Sequence, residues 1–355
     1  MSQLVLSLLL AVGLLGHASV AFAAANYKIV TASERGTYIR IGRDLAEFVA
    51  PSADIKLDAL PSAGSADNAR LLRYEPGVKL ALVQSDVYQS FVDLAAAGNA
   101  AARTLMRPLR VIMPLYNEEI HFVVRADSER NFIHEINNAK LNAGEQGSGT
   151  ALTSATLYRL MFGEAMPDAS TSYLSNEEAL VKLVTDKTVD VVAVVAGQPA
   201  KLFVDMKPES RVLIKLLKFD AKHASSKGVL ETYFQANVRA TNYPNLLESD
   251  IPGLAVKAFL VTYDFQGPDT EKHLRGMARS LCQNFGVLQE KGHPKWREVE
   301  LALPDLGRGW TYYPPTTREL RSCITARAKP ETPVKAAAPS AKMCPQQQRI
   351  LGLCS

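Results

Sequence analysis

The sequence lacks cysteine before position 282, and the four it has are Cys282, Cys323, Cys344 and Cys354. No two are spaced C-x-x-C and no histidine sits among them, which argues against a zinc site; in an exported chain disulfides are the default. Four cysteines allow three pairings. Closeness in sequence favours Cys344 with Cys354, which leaves Cys282 with Cys323. Long apolar runs are also missing. Beyond the N-terminus nothing approaches the ~18 consecutive apolar residues of a membrane span. The formal net charge is only +4, with no Lys/Arg-dense stripe interleaved with aromatics, so nucleic acid is not a partner. The six histidines, His17, His121, His134, His223, His273 and His293, form neither H-E-x-x-H nor an i, i+4 pair, so no metal site is expected. Glu118, Glu119 and His121 lie close together, but such a group at a strand edge reads as a solvated or hydrogen-bonded surface feature and is given no acid–base role. No P-loop lysine follows Gly147-Ser148-Gly149, no G-x-S-x-G elbow occurs, and no nucleophile–base arrangement is legible. The expectation is a protein without catalytic residues and without a cofactor.

What is present begins with Leu4 to Leu15, an apolar run of a dozen residues that suits a signal-peptide core and is too short to span a bilayer. Ala21-Phe22-Ala23 supplies a cleavage pattern, so residues 1–23 are expected to be removed and the mature chain to start at Ala24 or Asn26. Export implies a periplasmic location. The remaining ~330 residues suffice for two lobes.

The body alternates strand and helix patterns, the mark of an α/β fold. Strands are expected at Tyr27–Thr31, Ile55–Leu60 and Val78–Val83, with helices over Thr37–Val49, Ser65–Tyr74 and after Gln84-Ser85-Asp86. Leu109–Leu115 and Ile120–Val124 read as two strands at a crossover. A second series follows: strand Ala139–Ala143, helix Thr150–Phe162, helix Asn176–Thr185 and strand Val189–Val195. The expected division is 24–115 for the first part of lobe I, 116–235 for lobe II and 236–325 for the return to lobe I. A Pro/Ala-rich linker at 326–342 and a small cysteine-bearing tail at 343–355 complete the chain.

Each strand's C-terminal end points at a helix N-terminus, the edge at which open α/β sheets bind ligands. Thr37, Ser62, Ser65, Ser85, Ser148 and Thr150 recur at these turns. Any one of them reads as an ordinary N-cap. Together they suggest a polar pocket that takes an anion on unpaired backbone N–H groups.

The chain resembles the TAXI-type solute receptors of TRAP transporters over about residues 28–288. The resemblance lies in Arg35-Gly36-Thr37-Tyr38, Ser62-Ala63-Gly64-Ser65, Ala81-Leu82-Val83-Gln84-Ser85-Asp86, Leu115-Tyr116, His121 to Ser128, Gly147-Ser148-Gly149-Thr150, Val194 to Pro199 and Leu260-Val261-Thr262, in that order. It implies a type II periplasmic-binding-protein fold, two lobes each with a mostly parallel sheet flanked by helices and a ligand cleft between them. It implies a monomer that captures a small organic acid or amino acid and hands it to a TRAP-type permease. The pocket residues it implies are Gly36, Thr37, Tyr38, Ser62, Ser65, Gln84, Ser85, Tyr116, Gly147, Ser148, Gly149, Thr150 and Gly197. The chain departs from the family in a glycine-poor first loop, where Arg35 either clamps a second carboxylate or pairs with Glu34, and in Asn117 after Tyr116. The C-terminal tail also lies outside the family pattern. It leaves open a periplasmic sensory or scaffolding protein that reuses the fold.

Overall fold

The computed structural model describes residues 24–34, 36–306 and 309–328. Five strand–helix steps build the frame. Strand β1 (Ala25–Val30) leads to α1 (Thr37–Phe48), β2 (Ile55–Leu60) to α2 (Ser65–Tyr74), and β3 (Val78–Gln84) to α3 (Asp86–Ala96) and α4 (Ala100–Met106). After β4 (Leu109–Arg125), the short β5 (Leu141–Asn142) leads to α5 (Gly149–Phe162), and β6 (Thr171–Ser172) to α6 (Asn176–Val184). β7 (Val191–Ala196), β8 (Ile214–Leu216), β9 (Phe234–Val238) and β10 (Ile251–Tyr263) complete one sheet, ordered β2-β1-β3-β10-β4-β7-β5-β6, with β8 on β4 and β9 on β10.

Strands β1, β2 and β3 run parallel, as do β5, β6 and β7, while the two long strands β4 and β10 pair antiparallel to each other and to their neighbours. Apolar side chains on both faces of each half produce four separate cores, two per lobe. On β10, Leu254 and Val256 belong to a core of the second lobe, and Ala258 and Leu260, on the same face by the two-residue period, to one of the first. β4 does the same in reverse, from Val111 and Ile112 to Phe122 and Val124. The architecture is therefore mixed α/β and two-lobed, with two strands threading both lobes. Val238, Tyr243 and Leu246 still pack in a core of the second lobe, so the chain crosses back along β10.

One expectation is corrected. Leu109–Leu115 and Ile120–Val124 are not two strands but parts of the single β4. The polar interruption Asn117-Glu118-Glu119 is where the strand passes between cores.

The helix Pro268–Gln283 lies against the helix Pro314–Ala328, and Cys282 and Cys323 form a disulfide between them, closing a span of 41 residues. Cys344 and Cys354 lie outside the described residues. On the chain-entropy account a loop of that length stabilises the fold by about 3–4 kcal/mol. The double substitution Cys282→Ser/Cys323→Ser should lower the denaturation midpoint accordingly; a change equivalent to less than about 1 kcal/mol would show that ordering by the surrounding packing makes the bond redundant. Among the described residues no helix is long and apolar enough to cross a membrane.

Candidate functional site

Four helices begin at one cavity of about 140 Å³ between the lobes. α1 and α2 come from the first lobe, α5 and α6 from the second. Gly36 and Gly64 occupy the N-cap positions of α1 and α2, and neither end has a side-chain cap. At α2 the first-turn Asp67 N–H donates to the Gly147 carbonyl of the other lobe at 3.2 Å. α5 is capped by Ser148, whose Oγ accepts from the Ala151 N–H at 3.0 Å, and α6 by Ser175, which accepts from Glu178. The peptide dipoles of all four helices point their positive ends toward the same space. No Lys or Arg lines it among the described residues; the acidic side chains on its wall are Glu118, Glu145 and Glu177.

The two lobes touch where glycine permits it. A Cβ on Gly64 would come within 3.2 Å of the Gly149 nitrogen, and one on Gly149 would sit 2.0 Å from Gln84 Oε1 and 2.8 Å from Ser65 Oγ. Further along α5, Thr153 donates to Asp86 at 2.6 Å, Ser90 and Thr156 share a hydrogen bond of 2.8 Å, and Arg159 pairs with Asp93 at 2.5 Å. Burial pushes the Asp86 carboxyl up to about 6, against the hydrogen bonds from Thr153 and Tyr233.

Glu118 reaches the cavity from the middle of β4 and is 3 % exposed. Burial is the main reason its carboxyl is pushed up to about 8; the nearby Tyr38 hydroxyl partly opposes this, and the charge of Glu119 adds to it. Glu119, next along the strand, points away into a buried ion-pair network. Lys295, fully buried, lies 3.3 and 3.4 Å from its two oxygens and 2.7 Å from Glu298, and the Gln198 N–H donates to Glu119 at 2.8 Å. Burial raises the Glu119 carboxyl, with Lys295 pulling the other way. His121 is also buried. Its Nδ1 meets the Val194 carbonyl at 3.2 Å, its Nε2 meets the Tyr243 hydroxyl at 3.4 Å, and burial pushes the ring down to about 4, so it is neutral. The surface reading of Glu118, Glu119 and His121 is thus overturned: β4 is a central strand, covered on both faces over this stretch, so all three side chains are buried.

The structure brings together Gly36, Thr37, Tyr38, Ser65, Gln84, Ser148, Gly149 and Thr150 on the cavity wall. The remaining residues picked from the sequence stand elsewhere. Gly197 lies behind Thr37, its carbonyl accepting from Thr37 Oγ1 at 3.3 Å, and Tyr116 packs under Lys295 and against Gly197. Ser62 is spent on Thr31, Asn68 and Gly64. Gly147 is exposed, its carbonyl accepting from the Asp67 N–H across the lobes. Ser85 lines a separate cavity and accepts from the Lys257 N–H, because the residue after Gln84 faces the opposite way from it. Arg35 lies outside the described residues; its proposed surface partner, Glu34, pairs with Arg43 at 2.6 Å. Sequence reasoning missed Glu118 and Asn176 on the wall and Lys295 behind it. For Glu118 a signal existed, a carboxylate inside an otherwise apolar run of strand length.

The N-termini of four helices, two from each lobe, thus meet at one interlobe cavity. The chain belongs to the NMT1-like family, which it matches over residues 29–302. It is similar, at low identity, to several solved structures. These include the periplasmic binding protein BugD (13% identity, TM-score 0.46, 85% of this chain and 94% of that one). Two others are PhnD1 from Prochlorococcus marinus in complex with methylphosphonate (13%, 0.48, 77% and 88%) and MatC from Rhodopseudomonas palustris with bound malate (14%, 0.47, 86% and 99%).

Proposed function

We propose that this chain is a solute-binding receptor that captures a small organic acid or amino acid between its lobes and delivers it to a membrane permease of the TRAP type, as TAXI-type receptors do. The reading places it in the periplasm after export, as a monomer, with the solute released unchanged. One observation carries it: four helix N-termini, two from each lobe, meet at one cavity whose described wall carries no cationic side chain. An anion there is held by backbone N–H groups and by the hydroxyls of Tyr38, Ser65 and Thr150, donors that need no counter-charge in the protein. The cavity is below the ~300 Å³ at which drug-sized pockets begin, which suits a solute of a few carbons. Because donors come from both lobes, binding and closure are one event.

The test is a thermal-shift screen of small monocarboxylates, dicarboxylates and amino acids. At a hundredfold excess over the dissociation constant, a bound solute adds about 2.7 kcal/mol to stability, a clear rise in melting temperature. At least one member of the panel should produce it. No shift with any carboxylate would remove the anion-receptor reading and favour a sensory or scaffolding role.

A further inference from the structure

One carboxylate on the cavity wall, Glu118, comes from the strand that threads both lobes. It stands at the crossing between lobes, buried, and its Oε2 has no hydrogen-bond partner within the protein. Around it, α1 contributes Tyr38, whose hydroxyl is likewise buried without a partner of its own in good geometry; α2 contributes Ser65 and β3 contributes Gln84. On β4 its neighbours are Tyr116 and Glu119, and the segment Pro294–Glu298 brings Lys295 and Glu298. Asp44, on α1, is taken by the Trp296 indole N–H at 2.8 Å and the His293 N–H at 2.7 Å. The only cation in this set is Lys295, and it is already engaged by Glu119 and Glu298. Among the described residues, then, no cation is free to pair with an ionised Glu118; Lys295 opposes the rise of its carboxyl only from a distance, behind burial and the charge of Glu119.

Resting on the receptor reading above, we infer that Glu118 enters the cleft as a neutral carboxylic acid whose O–H donates to the captured anion, so that only the proton-bearing protein binds tightly. A carboxylate cannot donate, and an ionised Glu118 would oppose an anionic solute at close range. Burial already pushes this group up to about 8, and an anion beside it raises it further. The acid form is therefore the resident one at neutral pH. Gating follows directly: affinity is flat over pH 6–7 and falls toward tenfold per unit as pH rises beyond 8.

Two measurements on the full chain test this. The first needs no solute: ¹³C NMR of glutamate-labelled protein, with Glu118→Gln used to assign the missing carboxyl. A midpoint near 8 is expected, and one in the usual carboxylate range of about 4–5 overturns the inference. The second is calorimetric titration with lactate, malate and L-alanine from pH 6 to 9. For whichever binds, wild-type affinity should drop at least fivefold between pH 7 and 9, while Glu118→Gln, which keeps an N–H donor, should bind within a few-fold of wild type at pH 7 and show no such drop. Affinity that rises with pH and is lost in Glu118→Gln would mean that an ionised Glu118 pairs with a solute ammonium, and overturns the inference while leaving the receptor intact. A pH-independent wild type does the same. Failure of every carboxylate at every pH would instead take down the receptor reading itself.

Discussion

Replacing Lys295 with methionine will destabilise the protein by about 3–5 kcal/mol, the cost of stranding a buried charge. Lys295 is fully buried, and its ammonium is the counter-charge for Glu119, which is itself 3 % exposed. Without it, Glu119 faces Glu298 with only the Gln198 N–H as a polar partner. The variant should recover part of its loss at pH 5, since a Glu119 carboxyl raised by burial takes up a proton in the folded state, and that contribution disappears as pH rises. The double substitution Lys295→Met/Glu119→Gln should be markedly more stable than Lys295→Met alone, because the glutamine still accepts from the Gln198 N–H and the one carboxylate left without Lys295, Glu298, is 41% exposed to solvent. Urea denaturation of the wild type, Lys295→Met, Glu119→Gln and the double variant gives the coupling. A single-variant loss below about 1 kcal/mol would mean that the pair is solvated, and the junction between lobes looser than described.

Gly149→Ala will cost binding rather than folding. Its Cβ would fall 2.0 Å from Gln84 Oε1, 2.6 Å from Gln84 Cδ and 2.8 Å from Ser65 Oγ, all atoms of the opposite lobe. Within its own lobe the residue opens α5, where alanine is well tolerated. The clash therefore bears on closure: Gln84 must leave its buried position, or the helix N-termini must separate. Each hydrogen bond lost from the solute is worth about 1 kcal/mol, so affinity for the carboxylate found in the screen should fall at least tenfold while the unliganded protein stays within about 1 kcal/mol of wild type. Gly286→Ala is the control, since a Cβ there meets nothing within 4 Å. Unchanged affinity in Gly149→Ala would show that solute capture does not need the lobes to meet at this point.

Local features were legible because they are written locally. Ile55–Leu60 and Ser65–Tyr74 have the expected bounds, since alternation defines the strand and Asp67 marks the first turn of the helix. The turn Gly147–Thr150 reads as a helix start for the same reason. Parity was harder: Gln84 and Ser85 adjoin in sequence, yet only Gln84 faces the cleft, and nothing local says which of two neighbours points there. Glu118, Glu119 and His121 look like surface residues until β4 is known to be central, and that depends on β10 and β7 arriving from far along the chain. The Lys295–Glu119 pair spans 176 residues and leaves no pattern at short range.

The most direct test of the account is to purify the full chain without denaturing it, unfold it, and identify by mass spectrometry the small molecule released, beside Gly149→Ala treated identically. The account predicts up to one equivalent of a small carboxylate from the wild type and markedly less from the variant. A cationic or uncharged solute, or equal amounts of the same molecule from both proteins, would contradict an anion held between the helix N-termini of two closed lobes.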